Sequence, residues 1–203
     1  MVRTFIAVES SDKIRNNLAA AAKKLQGTPA RLAAVQPPLM HITLKFLGEV
    51  PEVQIPRITA VLAKIHAVPY QLTVSRVSTF GKPALIIKAD IKDDGATTDL
   101  ARQIDALLLP INLTKPAGQL PPGKAVPNTA ELYDSRNCGA VIKSFSPHLT
   151  IARVNEYSPA LLPKSVAIEN QQFGICRIGE VVLKKSTLTP AGPIYETLAG
   201  VKL

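Results

Sequence analysis

Cysteine is almost absent from this chain. The two present in 203 residues, Cys138 and Cys176, form no metal-ligand cluster. They read as free thiols in a reducing compartment; a disulfide stays open, because sequence does not give their separation. There is no His-x-x-x-His, no Cys-x-x-Cys and no clustered Asp-x-Asp, so the usual metallohydrolase constellations are missing. No metal or other cofactor is expected. No apolar run approaches about 18 residues, so no membrane span is expected. Met1 to Ser10 is a short strand-like run leading into a charged helix, not a signal peptide. A cytoplasmic monomer is the expectation. Charged residues are also sparse at 19%, but 46% hydrophobic residues suffice for a core. Acidic residues are the scarcer sign, 15 against 24 basic, which leaves a net charge of +9. A basic surface favours polyanions such as RNA, although many small proteins are simply basic.

Histidine is scarce too, and its placement is informative. Two of the three histidines sit in one repeated pattern: His41-Ile42-Thr43-Leu44-Lys45-Phe46 and His148-Leu149-Thr150-Ile151-Ala152-Arg153. Pro38 lies shortly before the first copy and Pro147 touches the second. Apolar and polar residues alternate in both, the period of a strand with one face buried. His41, Thr43 and Lys45 then share one face and Ile42 and Leu44 the other; His148 and Thr150 share a face likewise. Two imidazoles facing one groove suit a general acid and a general base. A lone His-x-Thr recurs by chance, but two extended copies argue for chemistry.

Around the motifs, Val2 to Val8 is a core strand, and Asp12 to Gln26 an amphipathic helix stopped by Gly27. Thr28 to Met40 reads as irregular. The first motif strand spans His41 to about Leu47 and is broken by Gly48 to Pro51. A helix is expected from about Glu52 to His66, with Val53, Ile55, Ile58, Val61, Leu62 and Ile65 as its apolar stripe. His66 ends it and reads as structural. Tyr70 to Phe80 and Ala84 to Ile91 form a hairpin, and Thr97 to Leu109 a helix. Thr114 to Asn137 reads as a long loop, either a basic arm toward RNA or a tolerated insertion. Pro147 to Val154 is the second motif strand, followed by a loop-like stretch from Asn155 to Pro163 with room for one helical turn. Gln172 to Arg177 and Glu180 to Thr187 are strands joined at Ile178-Gly179, and Ile194 to Ala199 closes the sheet. The expected fold is α+β: one domain, residues 1–203, of two pseudo-symmetric lobes. Each lobe has an antiparallel-rich sheet with outer helices, and the active-site groove lies between them.

The doubled motif resembles the signature of the two-histidine phosphoesterase superfamily, His-x-Thr-x-x-Phe and then His-x-Thr-x-x-Arg. It is most similar to the RNA 2′,3′-cyclic phosphodiesterase branch, historically labelled 2′-5′ RNA ligase. Arg3 to Val8, His41 to Val50, Pro147 to Arg153 and Pro193 to Glu196 carry the likeness, which is weaker from about Pro110 to Ser144. The resemblance implies His41 as general acid toward O3′ and His148 as general base toward water. It implies Arg153 as phosphate clamp and Phe46 as a stacking platform for the terminal base, with Thr43 and Thr150 as further substrate contacts. RNA ends or small cyclic nucleotides would be the substrates. Phe46 and Arg153 are five residues from their histidines, so a regular strand would send them to the wrong face. Each strand must end or bulge nearby, and Gly48 and Asn155 are the candidate places. Two rivals remain: 2′-5′ ligation or 2′,5′-phosphodiester cleavage by the same groups, and a basic RNA-binding module with inactive histidines.

Overall fold

A computed structural model describes residues 1–81, 86–111 and 145–203. The Lys82-Pro83 turn, the Thr114 to Asn137 segment, Cys138 and Ala140 to Ser144 lie outside the described residues.

Among these residues the chain forms nine strands and four α-helices. The first half holds β1 (Val2–Val8), α1 (Asp12–Leu25), β2 (Arg31–Ala34), β3 (Ile42–Val50), α2 (Ile55–Leu62), β4 (Tyr70–Phe80), β5 (Ile86–Lys92) and α3 (Ala96–Leu108). The second holds β6 (His148–Glu156), α4 (Leu161–Ala167), β7 (Gln172–Ile178), β8 (Glu180–Thr189) and β9 (Gly192–Lys202). The strands build two sheets, ordered β3-β1-β8-β9 and β2-β6-β5-β4-β7, and every pairing is antiparallel.

One motif strand falls in each sheet. The alternation of β3 and β6 decides which way each faces: Ile42, Leu44, Leu149 and Ile151 are buried in the main core, leaving His41, Thr43, His148 and Thr150 on the opposite faces. Helices cover the core side. α1 packs on β6 and β7 and is backed by α4, whereas α3 packs on β3 and is joined by α2. The side chain of Asp93 starts α3, its carboxylate oxygens accepting from the Gly95 N–H (3.1 Å) and the Thr97 N–H (2.8 Å). That cap satisfies donors that have no partner inside the helix. An ion pair between Lys45 and Asp105 ties β3 to the same helix. No described helix is long and apolar enough to cross a membrane.

The sequence expectations need correction in four places. Arg31–Ala34, expected to be irregular, is an edge strand, which exists through its pairing with β6. β3 runs past Gly48 to Val50, because Gly48 takes a φ of 75° and the ladder with β1 resumes at Thr4. The helix expected from Glu52 to His66 is shorter: a 3₁₀ turn leads into Ile55–Leu62, and Val53 is 85% exposed instead of part of the buried stripe. Leu161–Ala167 is a helix of 7 residues, so the single turn expected by Pro163 runs on beyond it. Ile178-Gly179 does join β7 to β8, and there the chain passes from one sheet to the other, since β7 pairs with β4 and β8 with β1.

Candidate active site

Each motif strand carries an irregularity at the same place. Along β1 and β3 the pairing runs Ile6 with Lys45 and then Ala7 with Thr43, so Leu44 has no opposite number. Along β5 and β6 it runs Ile87 with Ala152 and then Lys88 with Thr150, so Ile151 has none. The carbonyl of Ile151 is taken up by the Val35 N–H at 2.9 Å. A single extra residue inverts the parity of everything beyond it. Thr43 and Phe46 therefore stand opposite Ala7 and Phe5, which share one face of β1. His148, Thr150 and Arg153 stand opposite Asp90, Lys88 and Ile86, which share one face of β5. The parity conflict of the sequence is thus resolved, but at Leu44 and Ile151; Gly48 comes after a second irregularity at Leu47.

The two imidazoles are wired alike. His41 Nδ1 lies 2.8 Å from the Leu39 carbonyl, and His148 Nδ1 lies 2.8 Å from the Ser146 carbonyl. A carbonyl can only accept, so in each ring Nδ1 carries the proton and donates it. Nε2 is left as the exchangeable site. Both rings lose proton affinity through burial. His41 falls from the usual 6.5 to about 4, with Lys184 and Arg153 pushing the same way against the Leu39 carbonyl and Glu9. His148 is also lowered, again by burial first and then by Lys88, against the Ser146 carbonyl and Asp90.

His41 is held by aromatic rings. Phe5, 2% exposed, stacks on it at 4.7 Å, and Tyr195 meets it edge-on at 5.2 Å. Phe5 also touches Phe46 (6.0 Å) and Tyr195 (5.0 Å). Phe5, Ala7, Val182 and Tyr195 make a small cluster apart from the main core. Phe46 itself is 38% exposed. Arg153 is exposed, and no ion pair among the described residues uses it. Its charge nevertheless acts on both His41 and Tyr195, which belong to the other sheet. β3 and β6 are also in contact. His66 is exposed, and its backbone exchanges hydrogen bonds with the Gln103 amide, away from the motif strands.

Sequence reasoning missed the support of His41. Phe5 and Tyr195 were visible only as parts of matching blocks, and nothing in one strand's pattern announces a ring arriving from another. Lys184, 6% exposed and 2.6 Å from Glu9, was equally hidden. The described residues contain no group of three or more His, Cys, Asp or Glu placed to hold a metal ion.

Comparison with known proteins gives a consistent answer. The family model described as LigT like Phosphoesterase matches residues 8–87. A protein of Archaeoglobus fulgidus named RNA 2′,3′-cyclic phosphodiesterase is 29% identical over 199 residues, spanning 97% of this chain and 98% of its own length. A protein of the same name from Methanothermobacter thermautotrophicus is 26% identical over 208 residues, with 100% and 99% covered. Among solved structures, E. coli LigT complexed with 3′-AMP matches with a TM-score of 0.70 at 17% identity, covering 100% of this chain and 97% of that one. At that identity the likeness concerns the fold.

Proposed function

We propose that the chain is a LigT-like phosphoesterase that hydrolyses RNA 2′,3′-cyclic phosphate ends to 2′-phosphates, with two histidines and no metal. The observation that carries this reading is the pair of bulges. They bring Thr43 and Phe46 to one face of β3, directly after His41, and His148, Thr150 and Arg153 to one face of β6. The relatives that span nearly the whole chain bear the name of this activity.

The chemistry is built on the free Nε2 atoms. His148 Nε2 takes a proton from water as the oxygen attacks phosphorus. The P–O3′ bond breaks on the far side, and His41 Nε2 hands its proton to O3′. The phosphate stays on O2′. Arg153 grips two phosphoryl oxygens, and the hydroxyls of Thr43 and Thr150 donate to charge that builds in the transition state. Phe46 stacks on the terminal base, which tolerates any base. In the free protein His41 is neutral near pH 7, since its proton affinity is low. The bound phosphodiester supplies the negative charge that lets it hold the proton it later gives up. His148, low in proton affinity as well, is ready to accept one.

The test is a short RNA ending in 2′,3′-cyclic phosphate, incubated with the protein in EDTA, with the terminus identified afterwards. His41→Ala and His148→Ala are run beside it. A 2′-phosphate product, reduced about 10²–10⁴-fold or more in each variant, is the expected result. Binding without turnover by the unmodified protein would replace this reading with that of an RNA-binding module.

A further inference from the structure

The two histidines share the same strand pattern, the same bulge and the same carbonyl partner two residues upstream. The motif by itself therefore supplies two equivalent groups. Acid–base catalysis needs them to differ, so the difference must come from their surroundings.

Each histidine has a lysine–carboxylate pair beside it, in its own sheet. For His41 the pair is Lys184 and Glu9. Lys184 stands opposite Phe5 on β8, and Phe5 is the ring stacked on His41. Its ammonium lies 2.6 Å from Glu9, just past the end of β1. For His148 the pair is Lys88 and Asp90 on β5. They stand opposite Thr150 and His148, and Lys88 Nζ lies 2.6 Å from Asp90 Oδ1. The same Asp90 oxygen accepts from the Ser78 hydroxyl at 2.8 Å. The two settings are alike in kind but not in balance. His41 also meets Arg153 from the other sheet, with the edge of Tyr195 against its ring and Arg3 acting on Tyr195. Among the described residues the charges that act on His148 are those of Lys88 and Asp90 alone.

We propose that Lys184–Glu9 and Lys88–Asp90 are positioning pairs, one for each histidine, and that each sets the proton affinity of its own histidine and not of the other. A buried ion pair adds little net stability, because desolvation offsets most of its attraction. Lys184, almost fully enclosed, is thus poorly explained as a fastener between β8 and β1. Placed beside an imidazole in a low-dielectric setting, the same charges act strongly on that ring. The lysine disfavours a second positive charge, and the carboxylate partly restores it. The extra cation at His41 adds to its reluctance, so it is protonated only when a phosphate arrives.

The proposal rests on the functional reading only for the use of the two rings; the tuning itself is readable without substrate. The full chain, labelled with ¹⁵N at histidine, is titrated by NMR across about pH 2.5 to 8. Lys184→Met should raise the His41 midpoint by about 0.5 or more and leave that of His148 within about 0.2. Lys88→Met should do the converse. Glu9→Gln and Asp90→Asn should shift the same midpoints downward, which keeps the test open if a methionine variant does not fold. Lys184→Arg should preserve the original midpoint. Midpoints that stay put, or that move together in either lysine variant, would overturn the proposal. If the midpoints move as expected while the unmodified protein fails to turn over cyclic phosphate, the pairing stands and the functional reading falls.

Discussion

Leu44 and Ile151 hold equivalent places, three residues beyond His41 and His148, and each is the residue that its neighbouring strand skips. Both are buried apolar side chains in one continuous core. The extra residue costs little there, since its side chain is used in packing while the backbone re-aims the residues beyond it. The bulges deliver a ring on one strand and a guanidinium on the other, each to the face that carries its histidine.

Arg153 offers the sharpest substitution. Arg153→Lys keeps the charge and loses the two-pronged grip, so kcat/KM on a cyclic phosphate should fall about 10-fold or more. Arg153→Ala should fall further. Thermal stability should be unchanged in both, since the side chain is exposed. Equal activity of the lysine variant and the unmodified protein would remove the clamp from the mechanism.

Phe46 should affect binding of substrate more than the chemical step. Phe46→Ala is expected to raise KM by the equivalent of about 1–3 kcal/mol, the usual worth of a base stacked on an aromatic ring. The kcat should change much less. Comparing substrates that end in different bases should reveal similar losses for each.

Tyr195 separates ring from hydroxyl. Its contacts with Phe5 and His41 are made by the ring. Tyr195→Phe should therefore retain near-normal activity, whereas Tyr195→Ala should loosen the seat of His41 and lower kcat. A phenylalanine variant as impaired as the alanine one would mean that the phenol itself touches substrate.

His41 also predicts a pH dependence of stability. Its proton affinity in the folded protein, at about 4, lies below the 6.5 of an ordinary histidine. Between those values the unfolded chain binds a proton that the folded chain refuses. Stability contributed by the neutral ring is complete above 6.5 and is lost as pH falls toward about 4. Urea midpoints compared at about pH 7.5 and 4.5 should drop less in His41→Gln than in the unmodified protein. Parallel drops would show that the ring is not held neutral.

Much of this was legible in the sequence. The doubled motif identified the two strands and which of their residues share a face as far as Thr43 and Thr150. Composition and periodicity gave an α+β fold, and Val2–Val8 was bounded as expected. The rest depended on partners far away in the chain. Arg31–Ala34 has no strand signal beyond four residues, and β6 makes it one. Pro163 discouraged a helix at Leu161–Ala167, yet it sits in the first turn, where a missing N–H is harmless. Bulges at Leu44 and Ile151 leave no mark in sequence, because an apolar residue fits a strand whether or not it is skipped. The approach of Lys184 to Glu9 joins residues at opposite ends of the chain, beyond the reach of any local pattern.

The strand order has a consequence for how the protein comes into being. β8 and β9 follow every other described strand in the chain, yet β8 lies inside the sheet of the first histidine motif, next to β1, which precedes them all. As the chain leaves the ribosome, β1 and β3 can pair early, but Lys184 and Tyr195 emerge only after both histidine motifs. Such long-range closure is slow to form compared with local pairing. A fragment ending before β8 would carry both histidine motifs and still lack one wall of the first histidine's seat. A chain released before β8 emerges holds both histidine motifs without the ring and the charges that β8 and β9 set around His41.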